Sequence, residues 1–203
     1  MSFVNRISRL QRGLSLGKSS LQQTRSIAVG TDMLSSVISL QKAHPWYTND
    51  KEGSNLAADN TVTCKELFDG KTVALFGVPA PFTGTCTLEH YPGYKKLADD
   101  IKKAGADEII CYAVSDPYAH DGWSKSMGND ETKIKFYADP DGSFAKAYGI
   151  DANYDVVSLG LRCQRFSMIV KDGVVKNFRL VTCDADQDAS MLLKELEELN
   201  ENS

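Results

Sequence analysis

Two apolar runs constrain this chain more than anything else in it: VALFGV (Val73–Val78) and EIICYAVS (Glu108–Ser115). Both are short and apolar without polar alternation, the pattern of a strand buried on both faces. Pro79 ends the first run, because it has no N–H to continue a ladder. Between the runs, from Leu88 onward, Tyr91, Tyr94, Leu97, Ala98 and Ile101 keep helical spacing, and Gly105 follows as a stop. A strand, a helix and a strand of these lengths form a crossover unit with parallel strands.

The rest of the chain fits around that unit. A shorter helix is expected to begin near Gly122-Trp123, and IKFYAD (Ile134–Asp139) reads as a third strand. RFSMIVKDGVVKNFRLV (Arg165–Val181) holds two β-rich runs separated by Asp172-Gly173, a strong short-range hairpin signal. Ala189, Leu192, Leu193, Leu196 and Leu199 share one face of a closing amphipathic helix, for which Asp186 or Asp188 is the expected cap. Met33 to Asn60 is polar and weakly patterned, with Pro45-Trp46-Tyr47 expected to pin a loop. The order βαβαβ, hairpin, helix predicts an α/β, thioredoxin-like fold over residues 37–203, a central mixed β-sheet flanked by helices.

The first residues have a different character. Met1 to Thr31 carries Arg6, Arg9, Arg12, Lys18 and Arg25 and no acidic residue, with Val4, Ile7, Leu10 and Leu14 on one helical face. This composition is that of a mitochondrial transit peptide, and residues 1–31 are read as one. A basic tail or a membrane-surface helix would share it. Without those five residues, the 23 basic residues become 18 against 27 acidic, a net charge of about −9. That charge argues against nucleic acid as a partner. No apolar run approaches the roughly 18 residues a membrane span requires.

Five cysteines (Cys64, Cys86, Cys111, Cys163, Cys183) stand far apart with no CxxC. A disulfide scaffold and a zinc site both want closer or paired spacing. Cys86 stands apart from the others, at the corner VPAPFTGTCTLEHYPGY between the first strand and its helix. A helix start presents free N–H groups and about half a positive charge, which favours a thiolate. Lowering a thiol by about two pH units takes roughly 2.7 kcal/mol, more than a helix end supplies, so a cation or hydroxyl donor is expected beside it. Thr83 is placed to offer a hydroxyl, and Pro79 fixes the turn. No second thiol sits at CxxC distance, which excludes dithiol exchange of the thioredoxin kind.

Pro79-x3-Thr83-x2-Cys86 resembles the active-site signature of the peroxiredoxins, and FGVPAPFTGTCTLEHYPGY, VSDP, ADPDGSF and RFSMIVKDG are similar to the type II, peroxiredoxin-5-like subgroup. The 25-residue spacing from Cys86 to Cys111 resembles plant-type members, and Ser26–Ala43 resembles the mitochondrial F-type. One departure is Ala80-Pro81, where the family has Gly-Ala. The resemblance implies a thiol-dependent peroxidase with Cys86 as peroxidatic thiolate and Thr83 bonded to the peroxide. Arg165 would be the cation, with Arg162 its rival, and Cys111 the resolving thiol. It also implies no metal or organic cofactor, reduction by glutaredoxin or thioredoxin, at most a homodimer, and the mitochondrial matrix. His90 and Trp123 match family positions and are expected to pack or hydrogen-bond near the pocket. With Cys111 four residues before the end of its strand, Cys86 and Cys111 would be offset by roughly 13 Å.

Overall fold

The computed structural model describes residues 27–43 and 60–201. Most of the transit-peptide reading and the Pro45-Trp46-Tyr47 loop lie outside the described residues. In chain order the strands are β1 (Ser39–Lys42), β2 (Thr61–Thr63), β3 (Thr72–Gly77), β4 (Glu108–Ala113), β5 (Lys135–Ala138), β6 (Asp151–Asn153), β7 (Leu161–Cys163), β8 (Phe166–Lys171) and β9 (Val174–Leu180). The helices are α1 (Cys64–Phe68), α2 (Tyr91–Lys103), α3 (Pro117–Ser126), α4 (Ser143–Ala147) and α5 (Asp188–Glu201).

Seven strands form one mixed sheet in the order β2-β1-β5-β4-β3-β8-β9, and β6 pairs with β7 separately. β3 and β4 are parallel, as are β4 and β5, while β8 runs antiparallel to β3. The expected crossover unit is therefore present. Alternate side chains of β3 feed two cores, one on each face: Val73 and Leu75 on one, Ala74 and Phe76 on the other. The β8–β9 hairpin turns at Asp172-Gly173, both with positive φ (50° and 75°), as a primed turn requires.

Several boundaries differ from the sequence reading. β4 ends at Ala113 rather than Ser115, because Asp116 leaves the sheet to cap α3, accepting from Ala119 N–H at 2.8 Å. Cys111 thus lies two residues from the strand end rather than four, paired with Phe76. α3 begins at Pro117, five residues before Gly122, on the Asp-Pro start signal. Neither the small strands β1, β2, β6 and β7 nor α1 was anticipated, although Thr63 and Glu66 form a readable capping box on α1. Asp188 does not cap α5; it lies inside the first turn with its carboxylate fully buried.

The folded unit also begins ahead of residue 37. Ile27 is buried and its N–H bonds to the Tyr148 carbonyl, and Met33 is fully buried. Gly30, Thr31 and Met33 exchange backbone hydrogen bonds with Gly173 of the hairpin turn and Val175 on β9. Residues 27–31, read as the end of a presequence, therefore belong to the packed body.

Candidate active site

β3 delivers the chain to Pro79, and a tight loop returns it to a helix that runs from Gly84. Within that loop Phe82 adopts φ of 61°, a left-handed conformation costly for a non-glycine residue. The Thr83 hydroxyl closes the loop by donating to the Ala80 carbonyl at 2.8 Å. Its proton is therefore not aimed at Cys86, contrary to expectation, and its lone pairs are what it can offer a ligand.

Cys86 opens a π-helical turn, Cys86–His90, ahead of α2, with Tyr91 N–H bonded to the Cys86 carbonyl. The cause is Pro92. Lacking an N–H, and with a ring that would press on the carbonyl of Leu88, it cannot sit in an ordinary α-turn without distortion, and the wider turn relieves the crowding. The turn places the Cys86 and His90 side chains indoors, at 1% and 0% exposure.

The other side of the site comes from β8. Phe166 pairs with Gly77, the last residue of β3, so Arg165 emerges just beyond the strand end where Cys86 lies. Arg165 Nη2 donates to Cys86 Sγ at 3.3 Å, and Nη1 contacts His90 Nδ1 at 3.0 Å. The rival cation is turned elsewhere: Arg162 Nη1 donates to the Val114 carbonyl at 2.9 Å. A guanidinium has donors only, so His90 Nδ1 must accept and the ring proton resides on Nε2. That nitrogen donates to Asp188 Oδ2 at 2.9 Å. Burial holds the His90 pKa below the ordinary value against the opposing pull of Asp188, and the charges of Arg165 and Arg179 depress it further.

Asp188 has four donors around it. His90 and Tyr94 reach Oδ2, and Ser167 and Arg179 reach Oδ1. Burial pushes its carboxyl up, but the bonds from His90, Tyr94 and Arg179 outweigh this and hold it at about 2. Arg179 is tied in turn to Glu195. Sequence reasoning missed this network. The available signal was an aspartate four and eight residues before Leu192 and Leu196, on the apolar stripe of the closing helix.

Pro79, Thr83 and Arg165 line an open cleft of about 760 Å³, bounded also by Tyr154, Leu159 and Thr182. Trp123 lies behind the site, donating to Thr87 Oγ1 at 3.1 Å. All five cysteines are free; Cys183 is exposed, and the other four are buried. Burial pushes Cys64 up to about 11 and Cys163 to about 12, and pushes Cys111 far above the ordinary thiol range. Cys86 and Cys111 belong to the same apolar cluster on one face of the sheet.

A buried thiol in the first turns of a helix, held by an arginine from a neighbouring strand of this mixed sheet, defines a cysteine-based oxidoreductase of thioredoxin-like fold. The redoxin family model matches residues 48–193. The mitochondrial peroxiredoxin-2F of Arabidopsis thaliana is 38% identical over 162 residues, covering 79% of this chain and 78% of the relative. That of Oryza sativa is 37% identical, covering 79% of each. Among solved structures, reduced Prx3 from Vibrio vulnificus in complex with hydrogen peroxide superposes with a TM-score of 0.71 at 31% identity, covering 86% of this chain and 98% of that one. The chain belongs to the redoxin family and, within it, to the type II, peroxiredoxin-5-like peroxiredoxins. It is a thiol-dependent peroxidase.

Proposed function

We propose that Cys86 is the peroxidatic residue, and the observation that carries this is the 3.3 Å contact from Arg165 Nη2 to its sulfur. The Cys86 thiolate attacks one oxygen of the hydroperoxide. An S–O bond forms, the O–O bond breaks, and its electron pair leaves with the departing oxygen, which takes a proton as water or an alcohol. Arg165 faces both the thiolate and the charge that develops on the departing oxygen. Thr83 accepts the hydroperoxide O–H through the lone pairs left after its bond to Ala80. Pro79 shapes the wall and brings no competing N–H.

Cys111 is proposed as the resolving thiol. It attacks the sulfenic sulfur, an S–S bond forms, and water leaves. Its complete burial means that local unwinding must come first, and the π-turn, where Pro92 has no N–H to bond, is the proposed place for it. A dithiol reductant, glutaredoxin or thioredoxin, then returns two electrons. A second reading, with Cys183 resolving, is favoured by its exposure and by its neighbour Thr182 lining the cleft.

The same proposal places the protein in the mitochondrial matrix. Its support is the basic, acid-free N-terminal composition and the mitochondrial relatives. The packed body suits cleavage just before Ile27. Phe82, Leu88, Val156 and Val157 are exposed apolar side chains suited to a homodimer. Peroxide consumption with glutaredoxin or thioredoxin, for the unaltered chain and Cys86→Ser, tests the reading; a Cys86→Ser protein as active as the unaltered chain overturns it. Peptide mapping after stoichiometric peroxide should find Cys86–Cys111. A Cys86–Cys183 link would move the resolving role to Cys183.

A further inference from the structure

We infer that Asp188 is a positioning residue for the peroxidase reaction, acting through His90 and Arg165 on Cys86. The inference rests on the reading of Cys86 and Arg165 given above. Three bonds in series connect the closing helix to the reactive sulfur: Asp188 Oδ2 to His90 Nε2 at 2.9 Å, His90 Nδ1 to Arg165 Nη1 at 3.0 Å, and Arg165 Nη2 to Cys86 Sγ at 3.3 Å. His90 and Asp188 side chains are both fully buried.

The chemistry of the series is directional. Arg165 can only donate, so it engages His90 only while Nδ1 carries a lone pair. A buried imidazole is free to hold its proton on either nitrogen unless a partner decides, and a carboxylate, which only accepts, decides for Nε2. The negative charge of Asp188 thus fixes the tautomer, the tautomer fixes one arm of the guanidinium, and the other arm is left aimed at the sulfur. Groups facing the pair from every packed element are Tyr94 from α2, Ser167 and the adjacent Arg165 from β8, Arg179 from β9 and Glu195 from α5 itself. All but Glu195 present donors to this chain of bonds, and Glu195 is bonded to Arg179.

Asp188→Asn keeps the shape and changes the logic. Arg179 donates to the Oδ1 position at 2.6 Å, so the amide oxygen must stay there and the NH2 must face His90. His90 would then accept at Nε2 and carry its proton on Nδ1, opposing the Arg165 donor. The expected results are a Cys86 alkylation profile moved upward by about one pH unit and a peroxide reaction slowed roughly tenfold, as loss of one charged hydrogen bond entails. Nitrogen-15 NMR should show His90 protonated on Nε2 in the unaltered protein and on Nδ1 in the variant. An Asp188→Asn protein that melts earlier yet keeps the alkylation profile and rate of the parent would make Asp188 purely structural and overturn the inference. If the variant does not fold, Nδ1 protonation in the unaltered protein overturns it alone. Full activity of Cys86→Ser would instead defeat the underlying reading, so the two failures are distinguishable.

Discussion

Removing the Arg165 side chain is the most direct perturbation of the site. Its Nη2 lies 3.3 Å from Cys86 Sγ, and a hydrogen bond with a charged partner contributes about 1.5–3 kcal/mol. At about 1.4 kcal/mol per pH unit, Arg165→Ala should move the pH profile of Cys86 alkylation upward by about one to two units. At fixed neutral pH the peroxide reaction should slow by roughly ten- to a hundredfold. The assay is iodoacetamide labelling across a pH series, read at the Cys86 peptide by mass spectrometry, with exposed Cys183 as the internal reference. Arg162→Ala is the control, since that guanidinium is bonded to the Val114 carbonyl and should leave the profile in place. An unmoved profile in Arg165→Ala together with a moved one in Arg162→Ala would refute the assignment.

Folding stability should fall as the solution is acidified below pH 6.5. Burial lowers His90, and lowers His120 from 6.5 to about 4, so in that window the unfolded chain binds protons the folded chain refuses. For His120 the loss is about 3 kcal/mol at most, complete by about pH 4, and urea titrations of His120→Gln should show a flatter acid limb. Gly77→Ala should cost roughly 1–3 kcal/mol or more by thermal melting, because its Cβ would stand 2.0 Å from the Phe166 ring. Its peroxidase rate should fall as well, since Phe166 adjoins Arg165. Relative to a chain started at Ile27, one started at Val37, without buried Ile27 and Met33, should lose about 1.5–3 kcal/mol for each by thermal melting.

What was legible in the sequence had local causes. The parallel pair β3–β4 is written in apolar runs, the hairpin in Asp172-Gly173, and the corner in Pro79, Thr83 and Cys86. The choice between Arg165 and Arg162 follows from register, because only the residue beside Phe166 reaches the end of β3. What was illegible depends on partners far away in the chain. Asp188 meets His90 across 98 residues, and an isolated Asp near a helix start reads as a cap. The short strands β1, β2, β6 and β7 have no periodicity to reveal them, since three or four residues cannot establish one. The π-turn was hidden for another reason: Pro92 signals a disturbed helix but not how the disturbance is absorbed.

The segment from Gly30 to Met33 lies along β9, the outermost strand on that side of the sheet. A strand with no outer neighbour offers its unused amides and carbonyls to any extended chain it meets, including a second copy of itself. By pairing at Gly173 and Val175, with a bridge between Asp32 and Val174, the segment occupies part of that template. The first residues of the packed body therefore guard a seam. A chain trimmed beyond them faces a solubility hazard that a melting curve would understate, because fibrillar or sheet-to-sheet association can begin from molecules that are otherwise native.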